Sequence, residues 1–477
     1  MFDSFRRILQ RERRYEKIWN SNKGWFKLAH VCREWRQVVL TSPSRLRLWL
    51  LFTNHRFGRS IALGSLPPLP IAIHDKRDSI FWPSEEQHRL ISGLAHPDRV
   101  CAIAFNMPYQ TWDPNSKMLA AVSQPFPALE SLELYCPRRL GSTPPPFLAG
   151  QAPHLRHLKF LGIIADLYRI LPYTKSLVDL TLGLHIITFS PLETQLLAHL
   201  QDVSSLRRLK VEMDGPLNAP PSERGEVYLP SLTYFSFTGV LALLDALIAG
   251  LMAPSLQEFR ISLPGIQSTF PHTHTHLTSF IRNTGRQFFS AQFDTSEDEI
   301  NIIMSARPDS TDDIPFRIIA SGICSIPLMG DLFSETLATV EDVFLASPFD
   351  LESLESFFDD PVQSYTFFMS FPSAKILRVF PEIELEIGDI FVDEDLPLDI
   401  LPSLEEIELN ATMPSCTSIR IDEDQAASVL ELFEPFVDVR KQAGHVVKLH
   451  WNTDGALPGY FCDTDMCVHR CTYLSLW

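Results

Sequence analysis

The sequence has few cysteines, no excess of basic charge and no long apolar run, and each absence excludes a class of protein. Eight Cys in 477 residues are too few for a disulfide-stabilised scaffold. The 41 Lys and Arg against 58 Asp and Glu give a net charge of -17, which argues against a nucleic-acid-binding protein. The most apolar stretch, 239–253, is short and contains Asp245, so we expect no membrane-spanning helix. Five arginines in the first fourteen residues do not fit a signal peptide, and we expect a soluble cytoplasmic or nuclear protein.

Motifs that carry chemistry are also missing. The sequence contains no phosphate-binding glycine loop, no dinucleotide-binding glycine motif, no His-Glu-x-x-His and no Gly-x-Ser-x-Gly. Two groups of soft ligands occur at spacings that match no usual zinc site: Cys462, Cys467, His469 and Cys471, and His272, His274 and His276. We therefore predict no catalytic residue, no metal, no cofactor and no enzyme. An enzyme whose catalytic residues are dispersed along the chain is the alternative.

Charge is distributed unevenly along the chain. Residues 1–60 carry 14 basic and 4 acidic side chains, whereas residues 291–440 carry 6 basic and 33 acidic ones. Part of the acidic excess lies in 382–399, a stretch that predicts a solvated loop or a docking site for a basic partner. The two regions either contact each other or face different partners, and solvated surface is the simpler interpretation of both.

A degenerate repeat runs through the chain, in which Pro-x-Leu-x-x-Leu-x-Leu recurs as FPALESLEL, APHLRHLKF, LPSLTYFSF, APSLQEFRI and LPSLEEIEL. The first apolar positions are residues 100, 129, 155, 177, 206, 232 and 256, at steps typical of leucine-rich repeats. The last two apolar residues of a unit lie two apart and share one face of a strand. One strand cannot bury this face alone, so the pattern predicts stacked parallel strands with these residues in consecutive layers: Leu132, Leu158, Leu180 and Leu209.

Between the strands the apolar spacing becomes helical, so we expect an α/β fold, an irregular leucine-rich-repeat solenoid, over residues 61–455. Alternation at period two predicts a β insertion near 285–325, and an apolar stripe predicts a C-terminal helix near 424–440. Residues 456–477 are expected to form a flexible tail. The asparagine usual in such repeats is absent, and ordinary strand–helix units in a non-repetitive domain are the alternative.

Polar residues lie between the paired apolar ones and are expected to point away from the core. In a solenoid these positions form the concave face, which repeat proteins use to bind other proteins. The candidates for contact with an unknown protein target are Glu133, Lys159, Lys210 and Arg260.

Residues 25–43 read WFKLAHVCREWRQVVLTSP and are followed by Leu46, Leu48 and Trp49. The order V-C-x-x-W-R, then Ser-Pro, then Leu-Trp resembles the second half of an F-box. The rest of the chain resembles a large fungal family of F-box proteins with degenerate leucine-rich repeats, in which phrases like HPDRVCAIAF and PFPALESLEL occur in the same order. The upstream stretch SFRRILQRERRYEKIWN departs from that family because it lacks the Leu-Pro with which an F-box begins.

The resemblance implies a substrate receptor of a cullin-based ubiquitin ligase. Its N-terminal helical segment, residues 1–60, would dock a Skp-type adaptor, and its repeats would select a protein target. The adaptor-docking candidates are apolar residues at helical spacing: Leu28, Val31, Cys32, Trp35 and Val39. A repeat scaffold without a link to the ligase is the alternative.

Overall fold

The computed structural model describes residues 33–34, 37, 50–53, 70–74, 90–106, 117–135, 151–161, 175–185, 200–214, 226–263, 275–284, 286–296, 299–305, 316–321, 333–346, 361–379, 400–410 and 423–452. The chain divides into two compact units, Met1–His185 and Ile186–Trp477.

The first unit is built on parallel strands that pair in the order in which the chain makes them. These are β1 (Leu50–Thr53), β2 (Ile71–His74), β3 (Val100–Asn106), β4 (Ser131–Tyr135), β5 (His157–Leu161) and β6 (Asp179–His185). Parallel neighbours need a crossover connection between them. A short helix, α1 (Lys117–Val122), lies in the connection between β3 and β4.

The predicted stacking of leucines is confirmed in the first unit. Leu132 pairs with Leu158, and Leu158 pairs with Leu180, so the three lie in one row across neighbouring strands. None is more than 2% exposed. Each strand hides its apolar pair against the next one, as stacked repeats require.

The second unit contains ten strands of one sheet within its described residues, in the spatial order β7-β9-β11-β14-β13-β12-β15-β16-β17-β18. They are β7 (Arg208–Asp214), β9 (Tyr234–Thr238), β11 (Glu258–Ser262), β12 (Ser290–Ser296), β13 (Glu299–Ser305), β14 (Phe316–Ser321), β15 (Asp342–Ala346), β16 (Ile376–Val379), β17 (Glu406–Asn410) and β18 (Lys448–Asn452). β8 (Val227–Tyr228) and β10 (Leu251–Met252) form a separate parallel pair.

Parallel pairing in this sheet is interrupted once. β13 runs antiparallel to both β12 and β14, whereas the pairs on either side, β11 with β14 and β12 with β15, are parallel. The three strands follow one another in the chain as β12, β13 and β14, but their spatial order in the sheet is reversed. β14 therefore pairs with β11, and β12 pairs with β15. The three strands lie where the sequence alternation predicted a β insertion.

A tight turn repeats at the entrance of the strands and marks the repeat unit. The backbone N–H of the first apolar residue donates to the carbonyl three residues earlier, as Leu129 does to Phe126 and Leu155 to Ala152. The same bond occurs at Leu206, Leu232, Leu256, Val340, Ala374 and Leu404. The repeat pattern in the sequence placed the first apolar residue at five of these positions: Leu129, Leu155, Leu206, Leu232 and Leu256. A mostly parallel sheet with one recurring turn is consistent with a leucine-rich-repeat-like solenoid.

Helices cover the apolar face of the second unit's sheet. They are α2 (Leu241–Ile248), α3 (Thr275–Arg282), α4 (Pro361–Met369) and α5 (Glu423–Gln442), and α5 lies where the sequence predicted a C-terminal helix. Phe280 of α3 packs edge-on against Phe235 and Phe259, with ring centroids 6.0 and 5.6 Å away. Phe367 of α4 packs in the same way against Phe293, at 5.2 Å. Aromatic pairs of this kind add to the stability that burial gives.

No helix among the described residues combines the length and the apolarity that a membrane span requires. In the predicted F-box-like segment, residues 1–60, the structure describes Arg33, Glu34 and Gln37, which are helical and exposed. It also describes Leu50–Thr53, which form strand β1 rather than helix, because they pair with β2 of the repeat sheet.

Candidate protein-binding face

The side of each sheet opposite its buried apolar rows is termed the outer face. Side chains alternate along a strand, so the residues between the buried ones lie on it. In the first unit Glu133 and Lys159 occupy neighbouring strands at one level, where Glu133 pairs with Lys159. Both are half-buried. Two residues earlier on the strands, His157 Nδ1 lies 2.8 Å from Asp179 Oδ2.

The outer face of β7, β9, β11 and β14 has three levels that all four strands share, and these twelve positions are termed the Tyr234 patch. The levels are Arg208, Tyr234, Glu258 and Arg317; Lys210, Ser236, Arg260 and Ile319; and Glu212, Thr238, Ser262 and Ser321. The patch holds four cationic residues and two carboxylates, although the whole chain is acidic.

Tyr234 is central to the arrangement of the cations. The guanidinium carbons of Arg208 and Arg260 lie 4.8 and 5.8 Å from the centroid of its ring. Arg260 also pairs with Glu258 on its own strand, and Lys210 pairs with Glu212. The ring therefore holds two guanidinium groups on the outer face, because a cation is attracted to the face of an aromatic ring.

One row of the outer face crosses, without a break, the ten described strands that form the second unit's larger sheet. In spatial order it consists of Arg208, Tyr234, Glu258, Arg317, Ile303, Gln292, Phe344, Arg378, Glu408 and His450. Neighbouring strands lie about 4.8 Å apart, so the row is roughly 43 Å long. Tyr and Arg are the residue types that most often dominate the binding energy of protein interfaces.

A cluster of charges lies near the other end of this row. Arg378 Nε is 3.4 Å from Asp342 Oδ1 and 3.1 Å from Glu408 Oε2, and the exposed fractions of the three side chains are 19%, 15% and 15%. On the next strand, His450 Nε2 lies 3.4 Å from Glu406 Oε1. One guanidinium is thus shared by two carboxylates that are mostly removed from water.

Burial raises the pKa of Asp342 above its ordinary value. Arg378 acts in the opposite direction, and Glu408 and Glu406 add to the rise. The attraction to Arg378 does not offset the loss of hydration, because the guanidinium is shared with the closer Glu408.

Asp342→Asn should make the stability of the protein less dependent on pH. A carboxyl group with a raised pKa binds its proton more tightly in the folded state, so its contribution to the free energy of unfolding falls as pH rises from its ordinary value of 3.8 through the raised value. We expect this decrease in the free energy of unfolding to be absent in the variant, which should melt at a higher temperature than the parent at pH 7. Melting curves at pH 4 to 7 measure the effect.

The matched control is Glu341→Gln, which makes the same charge change at the neighbouring position. Glu341 forms an exposed ion pair with Lys375 at 2.7 Å, and such pairs contribute little to stability. A profile for Asp342→Asn that falls as steeply as the parent's would contradict the expected cause.

All four predicted target-contact residues lie on an outer face, and all are partly exposed: Glu133, Lys159, Lys210 and Arg260. Their contact with a target stays a prediction. The adaptor-docking candidates lie outside the described residues: Leu28, Val31, Cys32, Trp35 and Val39. Sequence analysis missed Arg208 and Tyr234, although the same alternation places them on the outer face, one position before a buried strand residue.

Within the parts of the chain that the structure describes, no group of His, Cys, Asp and Glu could hold a metal ion. The cysteines and histidine of 462–471 lie outside those parts. Cys101 is described, and its thiol donates to the carbonyl of Ile71 at 3.4 Å. Burial, with a smaller contribution from the charge of Glu130, raises the pKa of Cys101 to about 11. The thiol is protonated at neutral pH and is a poor nucleophile.

Comparison with known proteins gives no family for this chain. No protein-family model matches it, and no curated protein matches it. Among solved structures, the chain is similar to the leucine-rich repeat-containing protein LegL7 from Legionella pneumophila, with 12% identity and a TM-score of 0.27, over 82% of this chain and 97% of that one. Strand pairing and the repeated turn, and not this likeness, indicate the leucine-rich-repeat-like fold.

Proposed function

We propose that the protein is a non-catalytic repeat scaffold that binds a protein target on its outer face. The observation that carries the proposal is the row of side chains across ten strands, from Arg208 to His450. Strand pairing fixes the spacing of this row, and aromatic and arginine side chains occur at both ends of it. A large, rigid and chemically varied surface of this kind suits recognition of a protein, as in other repeat proteins.

The finer proposal is that the scaffold is an F-box-like substrate receptor in the cytoplasm or nucleus, acting on neither nucleic acid nor membrane. Residues 25–43, with V-C-x-x-W-R and Ser-Pro, support it. A small apolar helical segment would bind a Skp-type adaptor, and the separate outer face would present a target for ubiquitination. An amphipathic helix laid into an apolar groove is a common mode of recognition.

The binding role is tested by reversing charge on the outer face. We expect Lys210→Glu with Arg260→Glu to reduce recovery of cross-linked cellular partners at least about tenfold, because unlike charges across an interface become like ones. The melting temperature should change little, since both side chains are partly exposed. Quantitative mass spectrometry of the partners and a melting curve of each variant make the measurement.

The matched control reverses two exposed charges on helices, Arg282→Glu with Lys441→Glu. It therefore changes the net charge of the protein by the same amount as the test variant. Equal recovery of partners by both double variants would contradict the proposed binding face. Unfolding caused by Lys210→Glu and Arg260→Glu would instead show that these residues are interior and that the strand facing is wrong.

The ligase role is tested separately by co-purification with a Skp adaptor. We expect a stable complex that Trp35→Ala abolishes. Absence of a complex, also after a Leu-Pro helix has been restored upstream, would remove the ligase role and leave the scaffold.

A further inference from the structure

We infer that the Tyr234 patch binds an acidic segment of the target, held in an extended conformation across β7, β9, β11 and β14. The inference rests on the proposed function and specifies the chemistry of the partner.

Charge is the first argument. The patch has a surplus of two positive charges among its twelve positions, in a chain whose net charge is -17 and whose 291–440 region is strongly acidic. Carboxylates approaching the acidic 291–440 region are repelled, so within the second unit the patch is a local site of attraction for an acidic segment.

The arrangement of the cations is the second argument. The ring of Tyr234 lies beside the guanidinium groups of both Arg208 and Arg260, which restricts their motion before a partner arrives. A guanidinium held in place loses less entropy when it donates paired hydrogen bonds to a carboxylate. Tyr234 and Arg208 are themselves partly or fully exposed, so a partner can reach them.

The spacing gives the third argument. Arg208 and Arg317 lie at one level on the first and fourth of four adjacent strands, which together span about 14 Å. Arg260 lies on the third strand, one level further along it than Glu258. In an extended peptide, side chains at alternate positions point the same way and are about 7 Å apart. A segment of about five residues with acidic side chains at its first, third and fifth positions therefore spans the patch.

The probe is a fluorescein-labelled peptide, Glu-Ser-Glu-Ser-Glu with blocked ends, and the full chain is titrated into it while anisotropy is recorded. We expect saturable binding that weakens as salt rises from about 0.05 to about 0.5 M, since the contacts are exposed and ionic. Arg208→Glu with Arg260→Glu should weaken binding at least about tenfold. The Gln-Ser-Gln-Ser-Gln peptide should bind the parent protein correspondingly weakly.

Two further variants separate the patch from general charge effects. Arg282→Glu with Lys441→Glu makes the same change in net charge away from the patch and should leave binding of the acidic peptide unchanged. Tyr234→Phe should preserve binding, and Tyr234→Ala should weaken it, because the ring organises the guanidinium groups.

Three results would overturn the inference. The first is equal binding of the Glu and Gln peptides, or no effect of reversing Arg208 and Arg260. The second is self-association of the protein that the same reversal abolishes, which would make a second copy the occupant. The third is tighter binding of single-stranded oligothymidylate than of the acidic peptide. If these occur while charge reversal at Lys210 and Arg260 still abolishes capture of cellular partners, only the acidic partner is excluded and the binding face stands.

Discussion

Phe235→Ala is expected to lower the free energy of unfolding by about 3–5 kcal/mol, the range for truncating a buried aromatic residue. Phe235 is fully buried. Its ring stacks on Phe259 with centroids 5.4 Å apart and meets Phe280 of α3 edge-on at 6.0 Å. Truncation leaves a cavity at the contact between sheet and helix, where three rings now fill the space.

Tyr234→Ala is the matched control, one residue away on the same strand. Its side chain is on the outer face, so we expect a change below about 1 kcal/mol in stability together with weaker binding of the acidic peptide. Urea unfolding followed by far-ultraviolet circular dichroism compares the two variants, and hydrogen exchange of β9 and β11 locates the loss. Equal losses of stability in both would contradict the assigned facing of the strand.

Arg440→Met should also destabilise the protein strongly. Arg440 is 2% exposed near the end of α5, and its Nη2 donates to the carbonyl of Ile400 and, at 3.2 Å, to that of Leu401. Its guanidinium carbon lies 5.2 Å from the ring centroid of Phe436. Without this donor, two backbone carbonyls lose a charged partner, at a cost of about 1–3 kcal/mol each.

The position of these carbonyls increases the expected effect. Leu401 has a φ of 48°, a conformation that a leucine rarely adopts and that neighbouring contacts must hold in place. Arg440 joins this turn, which precedes β17, to α5. Urea unfolding of Arg440→Met measures the loss, and Lys441→Met, the exposed neighbour, should unfold close to the parent. Indistinguishable midpoints for the two variants would show that Arg440 is dispensable there.

Local pattern was sufficient to predict much of the repeat fold. Apolar Leu132 and Leu134 alternate with polar Glu133. This local pattern predicted both the strand and which of its sides is buried. The same alternation placed Lys159 and Arg260 on the outer face. Periodicity also predicted strands near 285–325 and a helix near 424–440. Both predictions were possible because the apolar period of a strand or of a helix can be recognised in a short stretch of sequence.

Contacts distant in sequence were beyond this reasoning. From the sequence, Arg440 is a charged residue near the end of an amphipathic helix. In the structure it is buried and donates a hydrogen bond to the carbonyl of Ile400, 40 residues earlier in the chain. The guanidinium of Arg378, shared by the carboxylates of Asp342 and Glu408, joins three strands, and no spacing in the sequence signals this contact. Such contacts depend on which strands become neighbours.

The sequence by itself determined the repeat unit and the facing of each strand, since both follow from the two-residue period of side chains along a single strand. The tertiary structure decided which outer-face residues meet. Strand β13 pairs antiparallel with both β14 and β12, and through these pairings Tyr234 and Phe344 lie in one row across the sheet. These pairings are set by hydrogen bonds between segments that are far apart in the chain. The surface available to a partner is therefore a product of register, which local periodicity does not encode.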